Sequence, residues 1–207
     1  MNLIHQLMFD TISLVTILNP IAGAAIMLSL VKYKEIPSVS RKTSMTVFIS
    51  SIATMLLGGL IFKIFGINLP SIKAIGGVVL LIIALSLIQG QSFSPTNHTQ
   101  KEQDSAEEKD DVSVIPLGIP ILFGPGVITT IIVLNEKAIT LLQKGILAVS
   151  ILISTIAVYI VLINASNISK FLGVNGLKIT TRIMGLIIGA IAFMFLIGGV
   201  KALWNMA

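Results

Sequence analysis

The chain has 207 residues, of which 55% are hydrophobic and only 11% are charged, and its mean hydropathy is +0.99. Soluble domains carry about 25% charged residues, so this composition excludes an ordinary soluble domain and indicates an integral membrane protein in a lipid bilayer. The lack of cysteine in the sequence excludes disulfides and thiol chemistry, and the net charge of +5 comes from loops between apolar segments, which argues against a nucleic-acid partner.

Six apolar segments are long enough to cross a hydrocarbon core of about 30 Å as helices, which takes about 20 residues. The sequence therefore predicts an all-α membrane protein with six transmembrane helices. The third segment is short, and we expect it to extend backwards over Leu69 to Lys73. In chain order the predicted spans are 8–30, 43–62, 74–90, 114–135, 145–164 and 183–200.

Residues 91–113 form the one long hydrophilic connection, and six acidic residues lie between Glu102 and Asp111. A carboxylate-rich run of this kind could bind cations. Polar, charge-rich segments cannot bury a core, however, so we favour a solvated linker. The linker divides the chain into two units of three spans each, residues 1–90 and 114–207.

The two units share an ordered set of landmarks, with offsets between 105 and 109 residues. Three spans is an odd number, so the second unit must enter the membrane from the opposite side. The sequence thus predicts two inverted three-helix repeats, an arrangement that recurs in secondary transporters. The matching landmarks are Asn19-Pro20 with Gly124-Pro125, Gly66-Ile67-Asn68 with Gly173-Val174-Asn175, Lys73 with Arg182, and Gln89-Gly90 with Gly198-Gly199.

The basic residues are distributed unequally between the two sides of the membrane, nine against five. The positive-inside rule places the richer side in the cytoplasm, and both termini then lie outside. The five are Lys63, Lys73, Lys137, Lys144 and Lys201; the nine are Lys32, Lys34, Arg41, Lys42, Lys101, Lys109, Lys170, Lys178 and Arg182.

Prolines interrupt the first and fourth predicted spans near their middles, and Pro20 lies about 18 Å into the first span at 1.5 Å per residue. Proline lacks an N–H and clashes with the preceding turn, so each break is expected to start a new half-helix. Such a break survives in a bilayer only inside protein or beside water. Asn19 and Gly124 precede the two prolines as helix caps.

Two inverted half-helix starts that face one another near the midplane would bind an anionic group, such as a substrate carboxylate. The alternative is a pair of packed proline kinks without a ligand. Each threonine could also bond to its own helix, and Asn19 could serve only as a cap. The predicted substrate-binding residues are Thr16, Asn19, Pro20, Gly23, Gly124, Pro125, Gly126, Thr129 and Thr130.

The sequence favours neither catalysis nor a resident metal or cofactor. Both histidines lie outside the predicted spans, and no two acids face each other within them. No charged residue is expected deep within a span, which argues against an acidic proton relay. Asp10 could be a coupling carboxylate, but we expect it at the interface or helix start, where an acid suits the helix dipole.

These residues resemble the MarC family of six-span bacterial inner-membrane proteins, also labelled UPF0056, which includes SnatA-type transporters. The resemblance covers nearly the whole chain. It implies a plasma-membrane protein that moves small neutral amino acids such as alanine or glycine. One departure is Ala22-Gly23, where family members often carry a polar residue after NPIG. The matching motifs are Asn19-Pro20-Ile21, Ala74-Ile75-Gly76-Gly77, Pro116-Leu117-Gly118-Ile119-Pro120, Gly124-Pro125-Gly126 and Arg182-Ile183-Met184-Gly185.

The leading functional hypothesis is a secondary transporter or exporter of a small zwitterion that works by alternating access. The alternatives are a non-transporting membrane scaffold or regulatory protein and a channel-like facilitator. Coupling to Na⁺ or H⁺, the direction of transport and homo-oligomer formation stay open at this stage.

Overall fold

The computed structural model describes residues 2–90, 112–115 and 117–206, and every regular element within these ranges is helical. The all-α prediction is therefore confirmed. Most of the predicted acidic linker and Pro116 lie outside the described residues. In chain order the elements are α1 (Leu3–Leu18), α2 (Pro20–Leu30), a 3₁₀ turn (Tyr33–Glu35), α3 (Ile36–Ile64), α4 (Leu69–Ile88), an irregular segment (Leu117–Leu122), α5 (Pro125–Lys137), α6 (Leu141–Ile163) and α7 (Ala165–Trp204).

Side-chain caps set the starts of two long helices. The Asn68 Oδ1 accepts a hydrogen bond of 2.9 Å from the Ser71 N–H at the start of α4. At the start of α6, the Gln143 N–H donates to the Thr140 Oγ1 and the Thr140 N–H donates to the Gln143 Oε1, at 3.2 and 3.1 Å. Loss of such a cap costs a helix about 1 kcal/mol, so these residues fix where the apolar stretches begin. The predicted extension of the third span back to Leu69 is confirmed.

Within the part of the chain that the structure describes, five helical stretches are long and apolar enough to cross a membrane. The predicted fourth span is not one of them. Its residues are divided between the irregular segment and α5, and the 13 residues of α5 cover only about 20 Å. The five stretches are Leu3–Leu30, Tyr33–Ile61, Leu69–Ile88, Leu141–Ile163 and Asn175–Trp204.

The predicted loop before the last span is wrong, because α7 already begins at Ala165. Gly173 interrupts this helix with φ 61° and ψ −180°, a backbone conformation that other residues rarely adopt. The second span likewise starts earlier than predicted, at Ile36 rather than at residue 43. Hydropathy locates apolar residues and not helix ends, and lysine, arginine and serine continue a helix at small cost.

The most extensive helix pair is α4 with the part of α7 that follows Gly173. Glycines let the two backbones touch. A Cβ atom at Gly77 would lie 2.5 Å from the Leu196 nitrogen, and one at Gly199 would lie 2.5 Å from the Ala74 nitrogen. Small residues at these positions allow the close packing that is common between membrane helices.

The outer surface of the helices is apolar. On α3, Leu56, Leu57 and Leu60 are more than half exposed, and α6 and α7 expose large aliphatic side chains such as Ile160 and Ile197 in the same way. Soluble monomers do not expose contiguous apolar surface on this scale. The surface is suited to contact with lipid tails, while the interrupted helices α1, α2 and α5 pack among the others.

Candidate functional site

The first helix break is built around Asn19, whose backbone is left-handed with φ 44° and ψ 61°. Its N–H ends α1 by donating to the Val15 carbonyl at 3.1 Å. Its side-chain Oδ1 begins α2 by accepting from the Ala22 N–H at 3.4 Å, and Pro20 occupies the first position of α2. Asparagine tolerates the left-handed region better than most residues, so one residue ends one helix and caps the next. The predicted capping role of Asn19 is confirmed.

The second break lies between the irregular segment and α5. Gly124 is extended, with φ −95° and ψ 179°, and Pro125 is the first residue of α5, as the sequence predicted. The Gly124 carbonyl accepts hydrogen bonds from the Val127 and Ile128 N–H groups at 3.0 and 3.2 Å. The chain before Gly124 is not the continuous half-helix that the sequence suggested, because Ile119 is extended, with φ −129° and ψ 126°.

The two breaks meet at a single cavity of about 410 Å³. Asn19, Ala22 and Gly23 line it from the first break, and Gly124 and Gly126 line it from the second. Both helix starts therefore face the same space. Their free N–H groups and the positive ends of their dipoles make this space favourable for an anionic group.

The glycines at this cavity permit the close approach of the two broken helices. A Cβ atom at Gly23 would lie 2.7 Å from the Leu122 Cδ2, in the irregular segment. A Cβ atom at Gly126 would lie 2.9 Å from the Leu80 Cδ2 of α4. A larger side chain at either position would push the half-helix away from its neighbour.

Five of the nine predicted binding residues line the cavity: Asn19, Gly23, Gly124, Pro125 and Gly126. The structure does not bring the other four to its wall. Pro20 and Thr16 are buried behind it. The Thr130 Oγ1 donates to the Gly126 carbonyl at 2.7 Å and the Thr129 Oγ1 donates to the Pro125 carbonyl at 3.0 Å, so both hydroxyls bond within α5.

Sequence reasoning missed the part of the wall that α7 contributes. Lys178 and Thr181 line the cavity, together with Ser29 and Gly90 at the ends of α2 and α4. Lys178 is the one charged residue among the described lining residues. From the sequence, Lys178 was expected in a loop. The absence of proline between Ala165 and Trp204 is the feature that could have indicated a helix there.

The cavity extends from the breaks towards one side of the helix bundle. Ser29 and Gly90 lie at the ends of α2 and α4, and Lys178 lies five residues after the Gly173 break in α7. From the sequence, all three positions belong to the side with nine basic residues. On the opposite side of the break, Leu14 and Leu18 are buried at 1% and 4% exposure.

Asp10 lies in α1, outside the cavity wall, and its position differs from the one expected from the sequence. It is not at a helix start, because α1 begins at Leu3, and it is only 3% exposed. Its Oδ2 accepts from the Gln6 Nε2 at 3.4 Å, and the same Nε2 donates to the Gln143 carbonyl of α6 at 3.2 Å. The expectation that Asp10 lies at a helix start is therefore wrong, because Asp10 is buried within α1.

Comparison with known proteins places this architecture. Residues 4–204 match the family described as "MarC family integral membrane protein". The chain belongs to the MarC family. This agrees with the resemblance carried by the two broken segments, and it establishes a multi-pass membrane protein.

Relatives of this MarC-family protein share its length as well as its sequence. It is 34% identical to a UPF0056 membrane protein of Methanocaldococcus jannaschii over 192 residues, which cover 91% of this chain and 93% of that protein. It is 33% identical to one of Aquifex aeolicus over 195 residues, 93% and 91% of the two chains. It is 30% identical to the UPF0056 membrane protein YvbG of Bacillus subtilis over 196 residues, 93% of each chain. No solved structure matches the chain.

Proposed function

We propose that this MarC-family protein is a secondary transporter or exporter of small neutral amino acids, or similar small zwitterions, across the cytoplasmic membrane. The observation that carries the proposal is the cavity that joins the starts of α2 and α5. Two helix N-termini at one cavity suit a carboxylate, and helix carbonyls left free at the breaks suit an ammonium group. Interrupted helices that meet at a binding site are typical of secondary transporters.

The size of the cavity supports a small substrate. Small-molecule sites usually occupy about 300–1,000 Å³, so a cavity of about 410 Å³ is at the lower end of that range. Its wall is mostly aliphatic, with Ile17, Ile83 and Leu87 beside the helix breaks. A short side chain such as that of alanine would be accommodated there, whereas a second charged group would have no described acidic partner in the wall.

The proposal includes six crossings arranged as two inverted three-helix repeats. The pattern of helix contacts supports it. α4 packs on α7 and α3 packs on α6, which are the pairs that a two-fold axis in the membrane would generate. The contact of α2 with α7 has its counterpart in that of α5 with α4, and the contact of α1 with α6 has its counterpart in that of the irregular segment with α3. In this arrangement the irregular segment and α5 together form the fourth crossing.

The proposed orientation places the side with nine basic residues in the cytoplasm and both termini outside. The cavity then opens to the cytoplasm, on the side of Lys178. Transport by alternating access would require the opposite side to open between the two repeats, where Leu14 and Leu18 now close it.

Reconstitution into proteoliposomes tests the proposal. We expect saturable uptake of labelled alanine that unlabelled alanine or glycine competes away, against protein-free vesicles as the control. We expect Pro20→Ala and Pro125→Ala each to lower the rate about fivefold or more. A misplaced helix start that costs the transport step about 1 kcal/mol has an effect of this size. Both variants should remain folded in the membrane.

Absence of any flux of either amino acid would contradict transport and favour a scaffold. Flux that does not saturate would favour a channel. If both proline variants fold and transport at the wild-type rate, the helix starts take no part in the mechanism.

A further inference from the structure

α1 carries five buried polar side chains between its N-terminal end and the cavity. Gln6, Asp10, Ser13, Thr16 and Asn19 are each 8% exposed or less. At about 100° per residue, Gln6, Asp10 and Ser13 share one helix face, whereas Thr16 lies about 120° from Asp10 around the helix. Asn19, which lines the cavity, follows the last residue of α1 on the side opposite Asp10.

Asp10 is the one acidic residue among these five. The Gln6 amide donates to its carboxylate at 3.4 Å and is itself anchored to the Gln143 carbonyl of α6. Lys137, at the C-terminal end of α5, acts on the carboxylate electrostatically. The same ammonium lies 5.7 Å from the centre of the Phe195 ring of α7. α1, which carries Asp10, packs against α5, which carries Lys137.

The other elements packed against α1 present hydroxyls and distant cations. From α6, the Ser150 and Ser154 hydroxyls donate to carbonyls of α1 at 3.5 and 3.4 Å. The charged residues near this end include Lys144 of α6, Lys201 of α7 and Glu136 of α5, all exposed, and His5 of α1 is exposed as well. Lys73 of α4 is half-buried and acts electrostatically on Lys137. Within the described residues, Lys137 is the charged group whose electrostatic effect on Asp10 is resolved.

We propose that Asp10 binds the proton that drives transport. This inference rests on the proposed function. An ionisable side chain buried in a membrane span is costly to keep and usually serves transport or proton movement. A proton needs only one carboxylate oxygen.

The proposed step is a simple protonation. A proton from the side of the α1 N-terminus bonds to one carboxylate oxygen of Asp10, which becomes a neutral carboxylic acid. Its attraction to Lys137 is then lost, and release of the proton restores it. Because Asp10 lies on α1 and Lys137 on α5, this change acts between the two broken helices that form the cavity. Proton binding would thereby be linked to their relative position.

The transport test compares full-length wild type, Asp10→Asn and Glu136→Gln in proteoliposomes with labelled alanine. Glu136→Gln is the matched control, because it removes an exposed carboxyl at the same end of the bundle. We expect Asp10→Asn to lose accumulation driven by a pH gradient and to keep alanine exchange within about twofold of wild type. The control should behave as wild type in both assays. Gradient-driven accumulation by Asp10→Asn, or loss of its exchange in folded protein, would overturn the proposal.

An infrared titration of the purified protein gives a readout that needs no substrate. The chain has nine acidic side chains, so the titration is read as the difference between wild type and each variant. A carboxylic-acid band in the wild-type minus Asp10→Asn difference that titrates separately from the band in the wild-type minus Glu136→Gln difference supports the proposal. Identical titrations of wild type and Asp10→Asn overturn it. If wild type moves no alanine, the proposed function fails and this titration alone decides the role of Asp10. If Asp10→Asn does not fold, Asp10→Glu replaces it, and a band at an unchanged pH counts against the assignment.

Discussion

Replacement of Asn19 separates the backbone role of the first break from any direct contact with substrate. Asn19→Ala removes the side-chain cap of α2, which costs about 1 kcal/mol. It also forces alanine into a left-handed conformation with φ 44°, which costs about 1 kcal/mol more than for asparagine. Asn19→Gly loses the cap as well, but glycine adopts this conformation freely and a cap glycine costs only a few tenths of a kcal/mol. The expected difference in unfolding free energy is therefore about 2 kcal/mol.

Thermal unfolding in detergent measures this difference. For a chain of this size 1 kcal/mol shifts the midpoint by about 2–4 °C, so Asn19→Ala should lose about 4–8 °C and Asn19→Gly less than about 2 °C. Alanine transport by Asn19→Gly should stay within about threefold of wild type, since the break keeps its shape. Equal losses of thermal stability in the two variants would refute the left-handed cap as the basis of this break. Lost transport in a stable Asn19→Gly would instead show that the amide contacts the substrate.

Three further substitutions test the packing, the cavity mouth and the placement of the threonines. Gly77→Val should prevent folding, because its Cβ atom would lie 2.5 Å from the backbone of α7. Gly189→Ala is the control, since its Cβ atom would lie 3.6 Å from its nearest neighbour. This control should give the wild-type yield and the wild-type elution volume in size-exclusion chromatography. Lys178→Glu should raise the alanine concentration for half-maximal transport about threefold at low salt and less at high salt, while Lys170→Glu, outside the cavity wall, should not. Thr130→Val should leave alanine transport unchanged, since its hydroxyl bonds within α5; a loss of substrate affinity would return Thr130 to the binding site.

The sequence predicted the helix breaks well because their chemistry is local. Pro20 cannot continue the hydrogen bonding of α1, and Asn19 can both adopt the left-handed conformation and cap α2. Gly124 and Pro125 repeat this logic at the start of α5. None of these features depends on which helices pack together, so they can be predicted from short stretches of sequence.

The inner and outer faces of the helices could not be predicted in this way. On α4, Leu80 is fully buried and Ile82 is 52% exposed, yet both residues are aliphatic. In a bilayer the lipid-facing and protein-facing sides are equally apolar, so the usual periodicity carries little information. The same problem applies to the site. Lys178 was assigned to a loop and Asp10 to a helix start, because their positions depend on the helix boundaries and on tertiary packing.

The two helix starts at the cavity are chemically unequal, although the proposed repeats pair them. At α2 the Asn19 side chain already accepts from the Ala22 N–H, so part of this helix end is used by the protein itself. At α5 the cap residue is glycine, which has no side chain to offer, and its carbonyl accepts from Val127 and Ile128. The Gly126 N–H precedes these bonds and belongs to a residue that lines the cavity. A substrate carboxylate is therefore expected at the start of α5, with α2 closing over it. This is the physical reason that Asn19→Gly should transport while a bulkier residue at Gly126 should not.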